Sequence, residues 1–349
     1  MIKAIVFDMD GVLVDSETYI AKAIELYFEK LGIKIKKSDH TQNIGTGEAE
    51  IIKMVGSRHN LDIDVEQAKI DSYKIYGELV KEMGITAGSR RFIENAKKAG
   101  MKLAIATSAD RFKLNINLKV ANLDAEDFAV ILSGDQVKRR KPSPDIYLLA
   151  AEKMGLKNNE ILVFEDATLG VVAALKANSS CCGITTSFTK EELLDSGADF
   201  ALENLDQFED FSTIEEFNQL LLKYRAKEKA TQIRLNAYTP FSEFKVGAAV
   251  ISKKTKAIYS GCNVENSSYG ATICAERSAV LAAVANEGSL EIEQLVVVAQ
   301  PAAVPCAICL QVIAEFATPD TLIHLYDIKG EGKSYTFGQL LPHPFYFKK

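Results

Sequence analysis

A short apolar run, Ala4–Phe7, is followed by two acids: Asp8 comes directly after it, and Asp10 comes two residues later. Consecutive apolar residues without alternation are typical of a strand that is buried on both faces, as in a parallel sheet. Three later runs have the same character: 102–108, 128–134 and 161–167. Helical segments separate these runs, so the pattern predicts a doubly wound α/β domain. Because open parallel sheets bind ligands at the carboxyl ends of their strands, Asp8 and Asp10 are candidate site residues.

Polar motifs also follow the later predicted strands. On its own, an Asp-x-Asp pair is equally compatible with turn chemistry. Four motifs nevertheless occur in order: DMDGVLVDSE at 8–17, ATSAD at 106–110, RKPSPDIY at 140–147 and FEDATLGVVAALKA at 164–177. Together they resemble the haloacid dehalogenase superfamily, specifically its beta-phosphoglucomutase-like phosphatases. The resemblance implies a Rossmann-like domain over residues 1–212, with a helical cap at about 15–82.

The resemblance assigns catalytic and phosphate-binding roles to motif residues. Asp8 would be the nucleophile that takes the phosphoryl group as an aspartyl phosphate. Asp10 would act as general acid toward the leaving alcohol and then as base for water. Thr107, Ser108 and Lys141 would bind the phosphate, and Lys141 would also offset the repulsion between carboxylates and phosphate.

The same resemblance implies a magnesium site. Mg²⁺ is a hard cation that prefers oxygen ligands and water. Its ligands would be the carboxylates of Asp8 and Asp166 and the backbone carbonyl of Asp10. Glu165 would hold a metal-bound water.

The phosphorylated substrate is less constrained. In the sugar mutases of this family, a histidine shortly after the second aspartate and an arginine in the cap position the phosphosugar. Ile20 and Glu48 stand at the estimated positions of those two residues. This departure favours a phosphatase over a mutase acting on sugar or pentose phosphates. Dependence on a bisphosphate activator would identify a mutase.

The second half of the chain has a different pattern. Charge and leucine spacing over 215–238 predicts one long amphipathic helix. Two strand-like segments, 245–252 and 257–264, precede a predicted helix at 271–288. A buried strand at 295–300 leads to the sequence PCAIC, which opens a further helix.

Two predicted helices therefore present thiols at their N-termini. The helix dipole and free N–H groups there favour the thiolate form. Cys274, Cys306 and Cys309 would leave one tetrahedral zinc position open, which is typical of a catalytic site. The alternative is a set of buried core cysteines, which is how Cys181, Cys182 and Cys262 are interpreted. Glu276, two residues after Cys274, is placed to act beside the metal.

Three segments carry a second resemblance: NAYTPFSEFKVGAAV at 236–250, GCNVENSSYGATICAER at 261–277 and PCAICLQV at 305–312. They resemble the cytidine deaminases of the three-cysteine, homotetrameric type. The resemblance implies a three-layer α/β domain over residues 213–349. In it Phe244 would stack on the pyrimidine, Asn263 and Glu265 would bind the ribose, and Ala275 would contact the substrate.

The deaminase resemblance also explains the charged residues after Cys274. Three thiolates around Zn²⁺ leave a net charge of −1, and Arg277 would draw off part of it by hydrogen-bonding the sulfurs. Glu276 would move protons between water, the pyrimidine ring and the leaving ammonia. The family's usual PCGACRQ segment is altered here, since Ala307, Ile308 and Leu310 replace Gly, Ala and Arg. Members commonly form homo-oligomers through this domain, so a dimer or tetramer is expected, with Tyr269 reaching a neighbouring site.

Composition excludes several other classes. The 349 residues are 47% hydrophobic and 25% charged, with a net charge of −6 and no basic run, so no nucleic-acid surface is expected. No apolar stretch reaches the roughly 18 residues of a membrane span. The N-terminal run contains acids and is no signal peptide, which predicts a cytoplasmic protein.

The leading hypothesis is therefore a bifunctional enzyme of pyrimidine salvage. One half would hydrolyse phosphomonoesters, including nucleoside monophosphates, with Mg²⁺. The other would deaminate cytidine or deoxycytidine with Zn²⁺. An inactive, zinc-stabilised deaminase module is the alternative, and the intact Glu276 argues against it.

Overall fold

The computed structural model describes residues 1–35 and 48–347. The chain divides into two compact units, Met1–Asn218 and Gln219–Lys349. The division falls within a helix, Ile214–Arg234. The boundary inferred from the sequence, between residues 212 and 213, stays a prediction.

The first unit contains a six-stranded sheet in which every pair of neighbours is parallel. The strands are β1 (Ala4–Phe7), β2 (Lys102–Ala106), β3 (Val130–Leu132), β4 (Ile161–Glu165), β5 (Ser180–Ile184) and β6 (Phe200–Leu202). The order β3-β2-β1-β4-β5-β6 confirms the predicted doubly wound α/β fold. Successive strands are added on one side of β1 up to β3 and on its other side from β4 onward. Such a reversal of strand order opens a crevice at the carboxyl ends of β1 and β4.

Eight helices are described in the first unit before the boundary helix. They are α1 (Glu17–Lys30), α2 (Glu48–Arg58), α3 (Val65–Leu79), α4 (Ser89–Lys98), α5 (Arg111–Val120), α6 (Asp145–Met154), α7 (Thr168–Lys176) and α8 (Lys190–Asp195).

The first three of these helices share a hydrophobic cluster of their own. Ile24, Phe28, Ile52 and Tyr76 are buried in it, away from the sheet core. This arrangement agrees with the predicted helical cap. Part of that predicted range, residues 36–47, lies outside the described residues.

The helix that contains the boundary, α9 (Ile214–Arg234), is shorter than the predicted 215–238. After Arg234 the backbone tightens: the N–H of Leu235 donates to Gln232 and the N–H of Ala237 donates to Arg234, each three residues back. The N–H of Tyr238 then donates to the carbonyl of Asn263. The helix ends because this segment pairs with another part of the second unit.

The second unit contains a mixed five-stranded sheet in the order β11-β10-β9-β7-β8. Its strands are β7 (Val246–Ser252), β8 (Ile258–Cys262), β9 (Ile292–Ala299), β10 (Leu322–Tyr326) and β11 (Gly332–Thr336). Strands β9 and β10 are parallel, and the other neighbours are antiparallel. Its helices are α10 (Ala275–Glu287), α11 (Ala307–Ala314) and α12 (Phe337–Leu340).

Alternate residues of the central strands supply two separate cores, as the two-residue period of a strand requires. Val250 and Val297 pack with α10 and α11 on one face. Ile251 and Val298 pack with Ala226 and Ala230 of α9 on the other. The second unit is therefore a helix–sheet–helix sandwich of three layers, as predicted.

Two candidate active sites

The first site lies where β1 and β4 end side by side. Asp8 directly follows β1, Glu165 is the last residue of β4, and Asp166 comes next; all three are at most 6% exposed. One carboxylate oxygen from each lies within 4.8 Å of the others. The sheet register explains this convergence, because Phe7 of β1 pairs with Phe164 of β4.

Gly11 allows the loop after β1 to lie against Asp166. Its φ is +74°, in the left-handed region, and a Cβ added there would lie 1.8 Å from a carboxylate oxygen of Asp166. Glycine is therefore the one residue type that fits this turn without displacing a candidate ligand. The hydroxyl of Ser187 hydrogen-bonds to the same carboxylate.

Lys141 supplies the positive charge of this cluster. Its Nζ is 2.6 Å from Asp8 and also contacts Glu165, and the Tyr147 hydroxyl donates to Glu165 at 2.7 Å. Burial, which outweighs the opposing effect of Lys141, raises the pKa of Asp8 to about 7. Burial and the neighbouring carboxylates also raise the pKa of Asp166 well above its usual range. These carboxylates need a further cation to be fully ionised together.

Asp10 belongs to a different part of the same cavity. One of its oxygens accepts hydrogen bonds from Ser16 and, at 3.0 Å, from Asn117, and the same oxygen lies 3.2 Å from Nζ of Lys113 in an ion pair. Its carboxylate is thus held by side chains and is not among the oxygens that converge with Asp8. The role of the Asp10 backbone carbonyl as a metal ligand stays a prediction.

The predicted residues of the first half line one cavity: Asp8, Asp10, Thr107, Ser108, Lys141 and Asp166. Thr107 directly follows β2, the other neighbour of β1. No role follows from the sequence for Glu17, Lys113, Asn117 or Tyr147, although all four reach the cavity or its carboxylates. Glu17 and Tyr147 are the last residues of the motifs at 8–17 and 140–147, but their contacts depend on where whole helices are placed. Lys113 and Asn117 lie outside the motifs and reach the cavity from α5.

The donor set of this cavity fits magnesium. Asp8 and Asp166 present buried carboxylate oxygens, which hard cations prefer. Glu165 is also within range, but it already accepts hydrogen bonds from Lys141, Tyr147 and the backbone N–H of Ala167.

The second site is formed by the N-termini of α10 and α11. Cys274 directly precedes α10, Cys306 directly precedes α11, and Cys309 lies in the first turn of α11. Gly261 brings β8 against the first of these helices, because an added Cβ would lie 2.5 Å from the N atom of Ala279. The two helices thereby bring the three sulfurs together.

The sulfur geometry fits zinc. Sγ of Cys306 is 3.9 Å from that of Cys274 and 3.5 Å from that of Cys309. Two sulfurs on a tetrahedral Zn²⁺ with bonds of about 2.3 Å lie about 3.8 Å apart. Within the described residues, no fourth histidine, cysteine or acid joins this group. The arrangement therefore has three protein ligands and one position left for water or substrate.

Arg277 contacts the sulfur cluster. Its guanidinium donates to Sγ of Cys274 at 3.7 Å and to the carbonyl of Thr272 at 2.7 Å. A hydrogen bond from Cys309 and the interaction with Arg277 lower the pKa of the Cys274 thiol to about 5, although burial opposes them. Arg277 is thus placed to withdraw charge from a thiolate.

Glu276 is buried next to the sulfurs. Only 5% of it is exposed, and its carboxylate lies 3.7 Å from Sγ of Cys309. Burial raises the pKa of Glu276 above its usual value. A buried carboxyl of raised pKa, next to a candidate metal site, is suited to proton transfer.

The predicted nucleoside-binding residues lie in neighbouring loops. Asn263 donates to the carbonyl of Phe244 at 2.8 Å and accepts from the N–H of Val246 at 2.8 Å. Glu265 accepts from the N–H groups of Phe241 and Ser242. Both side chains therefore shape the loop that carries Phe244, which is half-buried. Their contacts with ribose and pyrimidine stay predictions.

The remaining thiols correct one expectation. Cys181 and Cys182 are buried on β5, as predicted, but Cys262 is only half-buried. It is the last residue of the edge strand β8, and an edge strand has a neighbour on one side only. Ala275 is fully buried, and Tyr269 is 77% exposed.

Two enzyme families match the two halves of the chain. Residues 5–184 match the haloacid dehalogenase-like hydrolases, and residues 223–325 match the cytidine and deoxycytidylate deaminase zinc-binding region. The chain is therefore a fusion of a haloacid dehalogenase-like hydrolase with a member of the cytidine deaminase family. In the described residues, no helix is long and apolar enough to cross a membrane.

Individual relatives agree with this division. A phosphorylated carbohydrates phosphatase of Thermotoga maritima is 32% identical over 202 residues, which are 56% of this chain and 92% of the relative. A cytidine deaminase of Halalkalibacterium halodurans is 40% identical over 129 residues, which are 36% of this chain and 92% of the relative. The Arabidopsis thaliana protein Suppressor of Quenching 1 is 37% identical over 200 residues, but this chain spans only 19% of it.

A solved structure resembles the first unit. It is CbbY from Rhodobacter sphaeroides in complex with xylulose-1,5-bisphosphate. The TM-score is 0.54 at 27% identity, and the match covers 60% of this chain and 96% of CbbY.

Proposed function

We propose that this protein is a bifunctional enzyme of pyrimidine salvage. The second unit would convert cytidine or deoxycytidine and water to uridine or deoxyuridine and ammonia. The first would hydrolyse phosphomonoesters, including nucleoside monophosphates, in the presence of magnesium. The deaminase assignment depends above all on one observation, the three sulfurs that converge beside a buried glutamate.

In the deaminase site, Cys274, Cys306 and Cys309 would hold zinc. Bound zinc supplies Lewis acidity toward water and toward developing negative charge. Glu276 accepts a proton from the attacking water and passes it to ring N3. It then takes a second proton, from the hydroxyl group added at C4, and delivers it to the amino group, so that the C4–N bond breaks and ammonia leaves. Arg277 limits the negative charge on the sulfurs by donating to Cys274.

The test of the deaminase assignment is a pair of matched substitutions. Glu276→Gln should lower uridine formation from cytidine by roughly 10²–10⁴-fold, the usual contribution of a general acid–base, while the protein still binds one zinc. Glu315→Gln, at the exposed C-terminal end of α11, serves as the control. Full activity of the Glu276 variant would refute its role, and absence of activity in the unmodified protein would favour an inert zinc-stabilised module.

In the phosphatase site, a carboxylate oxygen of Asp8 attacks phosphorus and forms an aspartyl phosphate. Asp10 donates a proton to the leaving alcohol and later accepts one from the water that hydrolyses the intermediate. Asp8, Asp166 and the Asp10 carbonyl would hold magnesium, which supplies charge stabilisation to the transferring group. Lys141, 2.6 Å from Asp8, stabilises the same charge from the protein.

The phosphatase test is phosphate release from a panel of nucleoside monophosphates and sugar phosphates, with Asp8→Asn as the inactive control. The salvage link predicts efficient release from CMP and UMP, because their products are nucleosides of the kind the second unit would accept. Much faster hydrolysis of sugar phosphates would refute that link. An absolute requirement for a bisphosphate activator would instead identify a mutase.

The deaminase unit is further proposed to form a dimer or tetramer. Exposed aromatic side chains near the site, Phe241 and Tyr269, support this proposal. Light scattering at several protein concentrations measures the assembly, and a monomer throughout would refute it. A cytoplasmic location and the absence of nucleic-acid or membrane partners stay predictions.

A further inference from the structure

The phosphatase cavity has two ends of different chemistry. Asp8, Asp166 and Lys141 lie at the end where phosphoryl transfer is proposed. At the other end, which we call the leaving-group end, Glu17, Glu48 and Lys113 line the cavity together with Asp10. Since Asp10 is the proposed acid for the departing alcohol, the rest of that alcohol extends toward these residues.

Lys113 is the cation of the leaving-group end, and its charge is already shared. Its Nζ lies 3.2 Å from Asp10 and 2.8 Å from Glu48, and the side chain is 2% exposed. Tyr76 covers it from the side, with Nζ 5.7 Å from the ring centre. A lysine that is paired with two carboxylates and buried has little positive potential left for a substrate anion.

Both carboxylate oxygens of Glu48 accept a hydrogen bond, and these bonds hold the side chain at the cavity. One accepts from Lys113 and the other from the hydroxyl of Tyr73 at 3.2 Å. Although burial opposes ionisation, Lys113 lowers the pKa of Glu48, so this residue carries its negative charge. Glu17 adds a third carboxylate, whose pKa is raised by burial against the effect of Lys113.

The charge balance of the described lining follows from these contacts. Among the described residues, the leaving-group end has the carboxyl groups of Asp10, Glu17 and Glu48 and the single ammonium group of Lys113. Because Asp10 carries a proton when it acts as the acid, the negative charge there comes from Glu17 and Glu48. Magnesium would offset the carboxylates at the opposite end, but no metal group is formed by Glu17, Glu48 and Asp10 in the described chain. A second phosphate on the substrate would meet unbalanced negative charge there, which is strongly unfavourable in a partly buried site.

We infer that the leaving-group end selects phosphomonoesters whose alcohol carries no second anionic group, and that Glu48 is the residue that excludes a second phosphate. Neutral, hydroxyl-rich alcohols such as sugars and nucleosides fit, because carboxylates accept hydrogen bonds from hydroxyl groups. The inference rests on the proposed phosphatase function and narrows its substrate class.

A purely structural role for the Glu48–Lys113 pair makes a different prediction. The pair joins α2 to α5, so its loss would lower stability and slow the hydrolysis of every substrate by the same factor. Selectivity between a monophosphate and its bisphosphate counterpart separates the two roles.

The first experiment compares matched substrates with the full chain and magnesium. The pairs are ribose 5-phosphate with ribose 1,5-bisphosphate, and cytidine 5′-monophosphate with cytidine 3′,5′-bisphosphate. The value of kcat/KM should be at least about tenfold higher for the monophosphate, since like charges brought together in a site cost several kcal/mol. Equal hydrolysis of both members of each pair would overturn the inference alone. Hydrolysis of neither would overturn the phosphatase proposal on which it rests.

The second experiment tests Glu48 directly. Glu48→Gln should narrow the ratio of monophosphate to bisphosphate kcat/KM by at least about threefold, because one repelling charge is removed. Glu50→Gln is the matched control, since Glu50 is exposed on the same helix, and the ratio should not change. An equal fall for both substrates in the Glu48 variant would assign it a structural role only and overturn the inference.

A binding measurement separates recognition from chemistry. Asp8→Asn blocks turnover, so calorimetry can measure the Kd of each substrate directly. Weaker binding of the bisphosphate in this background, and a smaller difference when Glu48→Gln is added, would support exclusion by charge. Equal Kd values for the two substrates would overturn it.

Discussion

The two candidate metal sites are built from different donors and lie at different places in the fold. In the first unit, oxygen donors follow the ends of neighbouring parallel strands, and lysines balance a dense group of buried carboxylates. In the second, sulfur donors stand at the N-termini of two helices, and a single arginine contacts them. Oxygen donors suit a hard cation such as Mg²⁺ and sulfur donors suit a borderline-soft one such as Zn²⁺, so the two candidate sites use different parts of an α/β fold. Strand ends suit charged oxygens supported from several sides, whereas helix N-termini favour thiolates through backbone N–H groups.

The supporting side chains differ in the same way. Lys141 and Tyr147 reach the first site from distant segments, and Lys113 and Asn117 reach Asp10 from α5. In the second site, the ligand, the acid and the arginine lie within four consecutive residues, 274–277. The first site therefore depends on long-range packing, and the second on two local helix starts. The following predictions test this contrast.

Metal removal should have the largest effect on the two activities, and each activity should depend on a different metal. After both metals are chelated, magnesium alone should restore phosphate release, and zinc alone should restore uridine formation. Each loss should be at least about a thousandfold, because a catalytic metal supplies several kcal/mol. Metal content measured by plasma emission spectrometry accompanies each assay. Uridine formation by zinc-free protein would contradict the prediction, because deamination would then not require zinc.

Acid should destabilise the second unit through a buried neutral histidine. His324 is 4% exposed, contacts Ser334 and Gln294, and has its pKa lowered by burial to about 4. An unfolded histidine has a pKa of about 6.5, so below that pH the unfolded chain binds a proton that the folded one does not. The free energy of unfolding should therefore fall by roughly 3 kcal/mol between pH 6.5 and pH 4 from this group alone.

The variant His324→Gln isolates that contribution. Protonation of the zinc ligands also destabilises this unit in acid, so the readout is the difference between wild type and variant. Hydrogen exchange of peptides from the second unit should show a weaker pH dependence for the variant. An identical pH dependence would mean that His324 is not neutral in the folded protein.

The guanidinium of Arg277 should matter for deamination alone. Arg277→Gln removes the donor to Cys274 and should lower kcat/KM for cytidine by roughly 10–100-fold, the usual effect of losing a group that supports a metal ligand. Arg277→Lys keeps the charge but loses the planar donor. Its kcat/KM for cytidine should lie between the values of the wild type and Arg277→Gln. Phosphate release is the internal control and should not change. If the Gln and Lys variants were equally active, charge withdrawal from the sulfur would not be its role.

The smallest effect is expected at Tyr147 in the first site. Tyr147→Phe removes a hydrogen bond to the buried Glu165 and should lower the free energy of unfolding of the first unit by about 1.5 kcal/mol. Expressed as a free energy, the loss in the rate of phosphate release should be smaller than the loss of stability, since Lys141 still contacts Glu165. Urea denaturation measures the change, with Tyr346→Phe at an exposed position as control. No change in the midpoint would show that Lys141 alone supports Glu165.

Much of the fold was predictable because a strand that is buried on both faces requires a continuous run of apolar residues. The runs that became β1, β2, β3 and β4 are apolar without alternation, which only a strand covered on both faces requires. The cysteines were predictable for a related reason, since a helix start fixes the geometry of the residues around it. No pattern above predicts β5, β6, β10 or β11. Their places depend on pairing with strands far away in the chain.

Contacts between distant segments were not predictable. Lys113 meets Asp10 and Glu48 only because α2 and α5 pack at the same cavity. The amide of Asn263 hydrogen-bonds to the backbone of the loop at 244–246, a contact that its own sequence neighbours do not indicate. In each case the partner is chosen by packing that no short stretch of sequence records.

Local sequence is enough to select the candidate site residues: the acids after the strands, the three cysteines and the glutamate beside them. Local rules suffice for these, because a strand end or a helix start positions its own neighbours. The balance of charge depends on the folded chain, since Lys113, Lys141 and Tyr147 acquire their partners when remote segments meet. Electrostatic energy depends on distance in space and on burial, and neither quantity exists until the chain has folded.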